Sequence, residues 1–381
     1  MTTGVALAHD YATQRGGAER VALLLAEAFP GSPLYTTLHD PDGTFPEFAR
    51  LDLRTSRLDR SGVLRRNHRL ALPLLAGAVD GQRVDADVLV ASSTGWAHGY
   101  RGARRTVVYC HAPARWLYQR DRYLGPPGGG LARSARRAVV AAGLGAVTPG
   151  LRRWDVAAAG RADAYLVNST VTQRAVREAY GIDAEVLPPP PAMLPVGPEQ
   201  EVPALEPGFL LCVARLLPYK NVDVVIEAAQ AAGRELVVVG AGPDRARLAT
   251  LAARSGGTGR VHLMGRVDDA TLRWLYRHAS LLVAASYEDY GLSPLEAGAF
   301  GRPSVVLHDG GYLDTVVAGV NGVFFDAPRA DLVSAAIELA ASSRWDEARI
   351  AEHVDRFSAA RFEDRLQAVV AEQRTTAGAG R

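Results

Sequence analysis

Arg215, Lys220, Glu288 and Glu296 are the side chains of this 381-residue chain whose types and spacing could act on an anionic substrate. Of the 43 basic residues, Lys220 alone is lysine; the rest are arginine. It stands in "ARLLPYKNVD", just ahead of Asn221, which reads as the N-cap of the helix "VDVVIEAAQ". A cation there opposes the helix dipole, so helix chemistry does not explain the placement. A diphosphate at that helix end reverses the objection. Arg215, at the end of the preceding strand, could reach the same anion with its planar fork, while lysine supplies a compact point charge on a flexible stem. Glu288 and Glu296 lie in "ASYEDYGLSPLEAGAF". Ser293, Pro294 and Glu296 match the N-cap, N1 and N3 positions of a capping box. Glu288 matches no helix signal.

Two glycine loops could face a phosphate. In "QRGGAERV", Gly16 and Gly17 precede a helix whose backbone N–H groups an anion could approach. A plain strand-to-helix turn explains the pair equally well. In "VVVGAGPDRARL" the third glycine of a dinucleotide fingerprint is missing, and no acidic residue follows at the required distance, which argues against NAD. Asp85 and Asp87 in "DAD" read as the polar lead-in to a strand, so no metal site is expected.

Short apolar runs alternate with amphipathic stretches, the pattern of parallel α/β sheets. "GVALAH", "DVLVAS", "TVVYC" and "DAYLVNS" read as strands of a first domain. The pattern breaks in the proline-rich run 187–208 and restarts with "FLLCVA", "ELVVVG", "VHLMG", "SLLVAAS", "PSVVL" and "GVFF". Helices of this second half are expected from Asn221, Pro243, Asp269 and Pro294. The expected division is 1–190, a linker 191–207, a second domain 208–355, and a helical segment 356–381 that returns to the first domain. Residues 1–190 carry 24 arginines against 17 acids, and the densest part, 101–137, carries nine arginines and one acid. That balance suits an anionic membrane surface or a phosphorylated acceptor. No zinc pattern, aromatic string or helix-turn-helix supports nucleic acid. Cys110 and Cys212 each end an apolar run and read as buried thiols; with no signal peptide visible in "MTTGVALAHDY", a cytoplasmic location is expected, peripheral to the inner face of the plasma membrane.

Taken together with "GRVDDATLRWLYRHASLLVAAS", the glutamate stretch resembles the retaining family 4 glycosyltransferases of the GT-B fold. "RGGAERV", "SPLYTTLHDP", "YCHAPARWLYQ" and "ADAYLVNSTVTQRAVREAYG" are similar to the first domain of its WbaZ-like, mannosyltransferase-like members. The resemblance implies an α/β chain of two Rossmann-like domains facing each other across a cleft, with the first binding the acceptor and the second a nucleotide sugar. It implies that Gly16 and Gly17 offer N–H groups to the donor phosphates and that Arg215 and Lys220 neutralise the diphosphate. Glu288 would hold sugar hydroxyls and Glu296 the ribose, while His111 would touch the sugar near the reacting carbon. Gly265 and Val267 in "MGRV" would border the base, and Tyr290, Gly291 and Leu292 would complete the donor site. No cofactor or metal is implied, only a donor, GDP-mannose or a UDP-hexose, and a glycan, glycolipid or small-molecule acceptor. Asp289 departs from the small residue often found after Glu288. Two other readings on the same architecture are a nucleotide-sugar epimerase and a catalytically inactive nucleotide-sugar-binding protein.

Overall fold

The computed structural model describes residues 3–118, 148–254 and 259–378. The chain forms two compact units, one of Met1–Pro188 with Phe362–Arg381 and one of Pro189–Arg361. In the first, β1 (Thr3–His9), β2 (Leu34–Thr36), β3 (Leu53–Thr55), β4 (Ala86–Ser93), β5 (Arg105–Cys110), β6 (Ala164–Val167) and β7 (Glu185–Val186) form one parallel sheet in the order β3-β2-β1-β4-β5-β6-β7. Successive side chains point to opposite faces, and both faces are covered, so the strands read as unbroken apolar runs. Ala6, Ala8, Leu89, Ala91 and Val108 pack on one face with Leu72, Leu75 and Val79. Leu7, Val88, Val90 and Val107 pack on the other with Phe362, Leu366 and Val370 of the last helix, Ala359–Gly378. Arg365 of that helix grips Glu185 with two bonds of 2.7 Å.

In the second unit β8 (Leu210–Val213), β9 (Leu236–Val239), β10 (Val261–Gly265), β11 (Leu281–Ala284), β12 (Ser304–Leu307) and β13 (Gly322–Phe325) run parallel in the order β10-β9-β8-β11-β12-β13. The chain leaves β8 toward β9 and later returns to its other side with β11. This is a topological switch point, outside whose carboxyl ends such sheets bind ligands. Residues 191–207 are irregular, yet Met193 and Leu205 are buried with Phe209 and Trp274 of the second unit.

Two expected helix starts are displaced. The helix expected from Pro243 begins at Arg245. The helix expected from Pro294 spans Leu292–Ala299, after Gly291 in the left-handed region (φ 80°). Ser293 is therefore inside the helix and not its cap, and Glu296 lies beyond the first turn, so the capping box does not form. The short strands β2, β3 and β7 escaped the apolar pattern, having two or three residues each.

Candidate active site

Arg215 and Lys220 follow β8, and Glu288 follows β11, which places all three at the carboxyl ends of the two strands flanking the switch point. The loop carrying Arg215 is fixed by the glycines of "GAG". A Cβ on Gly240 would overlap the Ala214 carbonyl oxygen, and one on Gly242 would overlap that of Leu216. These glycines permit close backbone approach beside Arg215, with Leu216 N–H donating to Ala241 (3.1 Å). Arg215 itself is exposed and makes no ion pair among the described residues.

Lys220 closes a 3-10 turn, Pro218–Lys220, and its ammonium pairs with Glu288 Oε1. Their side chains are 12% and 25% exposed, enough burial for the pair to be held but not sealed. Ser286 Oγ donates to the same carboxylate oxygen at 2.6 Å and lies 3.4 Å from the Tyr312 hydroxyl. Asn221 is the one non-glycine residue of positive φ (51°) among those described. Its side chain does not cap the helix Val222–Ala231; Nδ2 donates instead to Ala285 O at 2.8 Å. The lysine turn is thus tied to the Glu288 loop twice, by an amide and by an ion pair. From the other side, Gly311 N–H donates to Glu288 O at 2.7 Å, and a Cβ on Gly310 would overlap that carbonyl.

Glu296, on the helix Leu292–Ala299, accepts from the Tyr276 hydroxyl at 2.7 Å. Burial, with the carboxylate beside it, raises the Tyr276 phenol well above its ordinary range, so it stays a donor. Leu292 opens this helix after Gly291. The Tyr290 side chain turns inward against Leu295, Val354 and Phe357, its hydroxyl donating to Pro189 O at 2.7 Å, so only its backbone is available to a ligand. Gly265 ends β10 at φ 71° with open space where a side chain would stand. Val267 is half-buried against the core. Asp289 is half-buried beside Glu288.

In the first unit Gly16 is extended and caps α1 (Gly17–Ala28), whose first turn contains the buried Glu19. His111 follows β5; its Nε2 lies 2.9 Å from Ser92 Oγ, which lies 3.0 Å from His9 Nδ1. Burial, then the neighbouring His9 and Arg115, pull the His111 imidazole down to about 3, so it is neutral at physiological pH. Asp87 of the "DAD" stretch pairs with Arg104 (3.5 Å). Of the basic stretch 101–137, residues 119–137 lie outside those described. Arg101 and Arg105 pair with Asp80 and Asp163. Both cysteines are free and buried, and burial raises the Cys212 thiol to about 12. No described helix is long and apolar enough to cross a membrane. Ser286, Asn221 as a tether, Tyr276, Tyr312 and the Gly310–Gly311 turn carry no local signal and were not expected from sequence.

Residues 198–357 match the family model of the glycosyl transferases group 1. D-rhamnosyltransferase WbpZ of Pseudomonas aeruginosa is 33% identical over 129 residues, 33% of this chain and 33% of that protein. D-inositol 3-phosphate glycosyltransferase of Salinispora arenicola is 38% identical over 137 residues, 32% of this chain and 31% of that protein. The matched stretch thus spans about a third of the length of these curated relatives. Over 97% of the chain and 99% of the other, the fold superposes on Anabaena HepE, solved with UDP and glucose, with a TM-score of 0.67 and 18% identity. Two parallel-sheet Rossmann-like units with these neighbours are the GT-B fold, within which residues 198–357 carry the match to the glycosyl transferases group 1.

Proposed function

We propose that this chain is a retaining family 4 glycosyltransferase, WbaZ-like, which moves a hexose from a nucleoside diphosphate sugar to a hydroxyl of a glycan, glycolipid or small molecule. GDP-mannose is the first candidate donor; a UDP-hexose is the second, since HepE was solved with UDP and glucose. The observation that carries the reading is the cluster Lys220–Glu288–Ser286, with the unpaired Arg215 five residues before Lys220 on the same loop, at the switch point of the matched segment.

In this reading Arg215 and Lys220 offset the charge that builds on the departing diphosphate, as fixed cations do in a preorganised site. A lysine suits the position because its ammonium has three donors, one spent on Glu288 and two left for phosphate oxygens. Lys220 and Ser286 orient Glu288 through Oε1, and its Oε2 takes the sugar hydroxyls. Glu296, oriented by Tyr276, takes the ribose. Gly16, Gly17, Gly265, Val267, Tyr290, Gly291 and Leu292 contribute backbone and shape, and His111 enters as a neutral hydrogen-bonding group. The bond between the anomeric carbon and the phosphate oxygen breaks, the acceptor oxygen bonds to the same face of that carbon, and its proton passes to the departing phosphate oxygen. Cytoplasmic placement belongs to the same proposal, supported by the two buried free thiols.

The test is a thermal-shift panel of nucleotide sugars followed by turnover in excess EDTA. GDP-mannose is expected to raise the melting temperature and to transfer mannose with its anomeric configuration kept, as read by NMR. Inversion, or no stabilisation by any nucleotide sugar, overturns the proposal.

A further inference from the structure

Three polar side chains stand in a row at the centre of the first sheet. His9 and Ser92 are register partners on β1 and β4, and Ser92 is in turn the partner of Tyr109 on β5. Side chains two residues apart share a face of a strand, so His111, two past Tyr109, joins the same row. Its contacts follow from that placement: His9 Nδ1 lies 3.0 Å and His111 Nε2 2.9 Å from the single hydroxyl of Ser92. Ser92 is fully buried, and the two histidines are 2% and 9% exposed.

A hydroxyl has one proton, and each neutral imidazole has one N–H and one bare nitrogen. Burial keeps both rings neutral: it pulls His111 down to about 3 and lowers His9 against the charge of Asp10. Ser92 Oγ makes no third hydrogen bond among the described residues. Two N–H groups facing it would strand its proton, and two bare nitrogens would leave one of them without a donor; buried polar groups are paired. One ring therefore donates to Ser92, and the other accepts from it.

The direction is set at His9. The Ser92 backbone carbonyl also faces that ring and favours its proton, and Nδ1 is the nitrogen turned toward Ser92. Donation thus runs from His9 Nδ1–H to Ser92 Oγ and from Ser92 Oγ–H to His111 Nε2, which leaves the proton of His111 on Nδ1. That nitrogen makes no hydrogen bond among the described residues and is free for a ligand. The ring is held in place around it. Tyr109 packs edge-on at 5.3 Å, His111 N–H donates to Ser93 O (2.9 Å), and His111 O accepts from Asn168 Nδ2 and Thr172 Oγ1 at 3.3 Å each.

We propose that Ser92 and His9 are positioning residues of sugar transfer: they fix His111 as its Nδ1–H tautomer, so that it meets the donor sugar as a hydrogen-bond donor to a sugar oxygen and not as a base. The proposal rests on the reading in which His111 touches the sugar. It agrees with the acceptor proton passing to the departing phosphate oxygen, since a histidine already protonated on Nδ1 does not take it.

Long-range proton–nitrogen NMR of the full chain with isotope-labelled histidine reads which nitrogen of each ring is protonated, and His111→Gln identifies the His111 signals by their loss. In the ligand-free wild type, His9 and His111 are both expected to be protonated on Nδ1. Protonation of His111 on Nε2, or a mixture of its two tautomers, overturns the proposal. Ser92→Ala is expected to release His111 into such a mixture and to lower kcat/KM for the nucleotide sugar about tenfold, with affinity for the free nucleoside diphosphate unchanged. Ser92→Thr keeps the hydroxyl and should restore both the single tautomer and the rate. Wild-type transfer by Ser92→Ala, or slow transfer by Ser92→Thr with the wild-type tautomer, overturns the positioning role. The tautomer is read on the free wild-type protein, so a wrong tautomer and an absence of sugar transfer are separate failures.

Discussion

Replacing Glu19 by glutamine should remove a penalty that the folded protein carries above neutral pH. Glu19 stands in the first turn of α1, two residues after Gly17, and is 1% exposed. Its Oε2 has no hydrogen-bond partner. Burial, reinforced by the charge of Asp10, raises its carboxyl from 4.5 to about 7, against the opposing pull of the Glu19 and Gly16 N–H groups and the Gln14 side chain. Between those two values the folded state binds a proton that the unfolded state has released, so stability falls as pH rises through the window and levels off above it. A carboxyl moved that far costs the folded state roughly 3 kcal/mol once both states are ionised, at about 1.4 kcal/mol per tenfold change in proton affinity. Glutamine keeps the shape and cannot ionise. Urea denaturation of both proteins should therefore give similar stabilities near about pH 4.5 and a variant more stable by roughly 2 to 3 kcal/mol above about pH 7. A difference that does not change with pH would refute the placement of a buried, unsolvated carboxyl at this helix end.

Lys220→Ala should cripple turnover, and a urea melt should accompany it because the change leaves the mostly buried Glu288 carboxylate without its cation. Lys220→Arg should be only partly active, since charge is kept but compactness is not; full activity of either variant, measured by product formation, would return the lysine to chance. Asn221→Gly accepts the left-handed backbone but loses the bond to Ala285, whereas Asn221→Ala also incurs strain of about 1 kcal/mol. Both should lower kcat, and a fully active Asn221→Gly would show that the tether between the two loops does not matter.

Much of the fold was legible because parallel strands covered on both faces leave apolar runs, and even the half-buried edge strands β10 and β13 coincide with "VHLMG" and "GVFF" to the residue. The two- and three-residue strands β2, β3 and β7 left no such mark. The lone lysine and the spacing of Glu288 and Glu296 were visible, but their partners were not. Lys220 meets Glu288 across 68 positions and Glu296 meets Tyr276 across 20, and no local pattern encodes a tertiary contact of that kind. The capping box was misread for a related reason: "SPLE" satisfies the local rule, yet Gly291 in the left-handed region starts the helix earlier and leaves Glu296 to Tyr276. Of the nine arginines of 101–137, Arg101, Arg104 and Arg105 are ion-paired, and the five within 119–137 lie outside the described residues.

The most direct test of the donor assignment is calorimetric titration of Glu288→Ala and Glu296→Ala with the free nucleoside diphosphate and with the intact nucleotide sugar. Glu296→Ala should weaken both ligands, by roughly 1.5 to 3 kcal/mol or on the order of ten- to a hundredfold. A thermal melt must accompany it, because Tyr276 loses its acceptor. Glu288→Ala should bind the nucleoside diphosphate almost normally yet transfer poorly, the reacting carbon being no longer positioned. Equal loss of nucleoside diphosphate affinity in both variants, or full transfer by either, would contradict the assignment of the sugar to Glu288 and the ribose to Glu296.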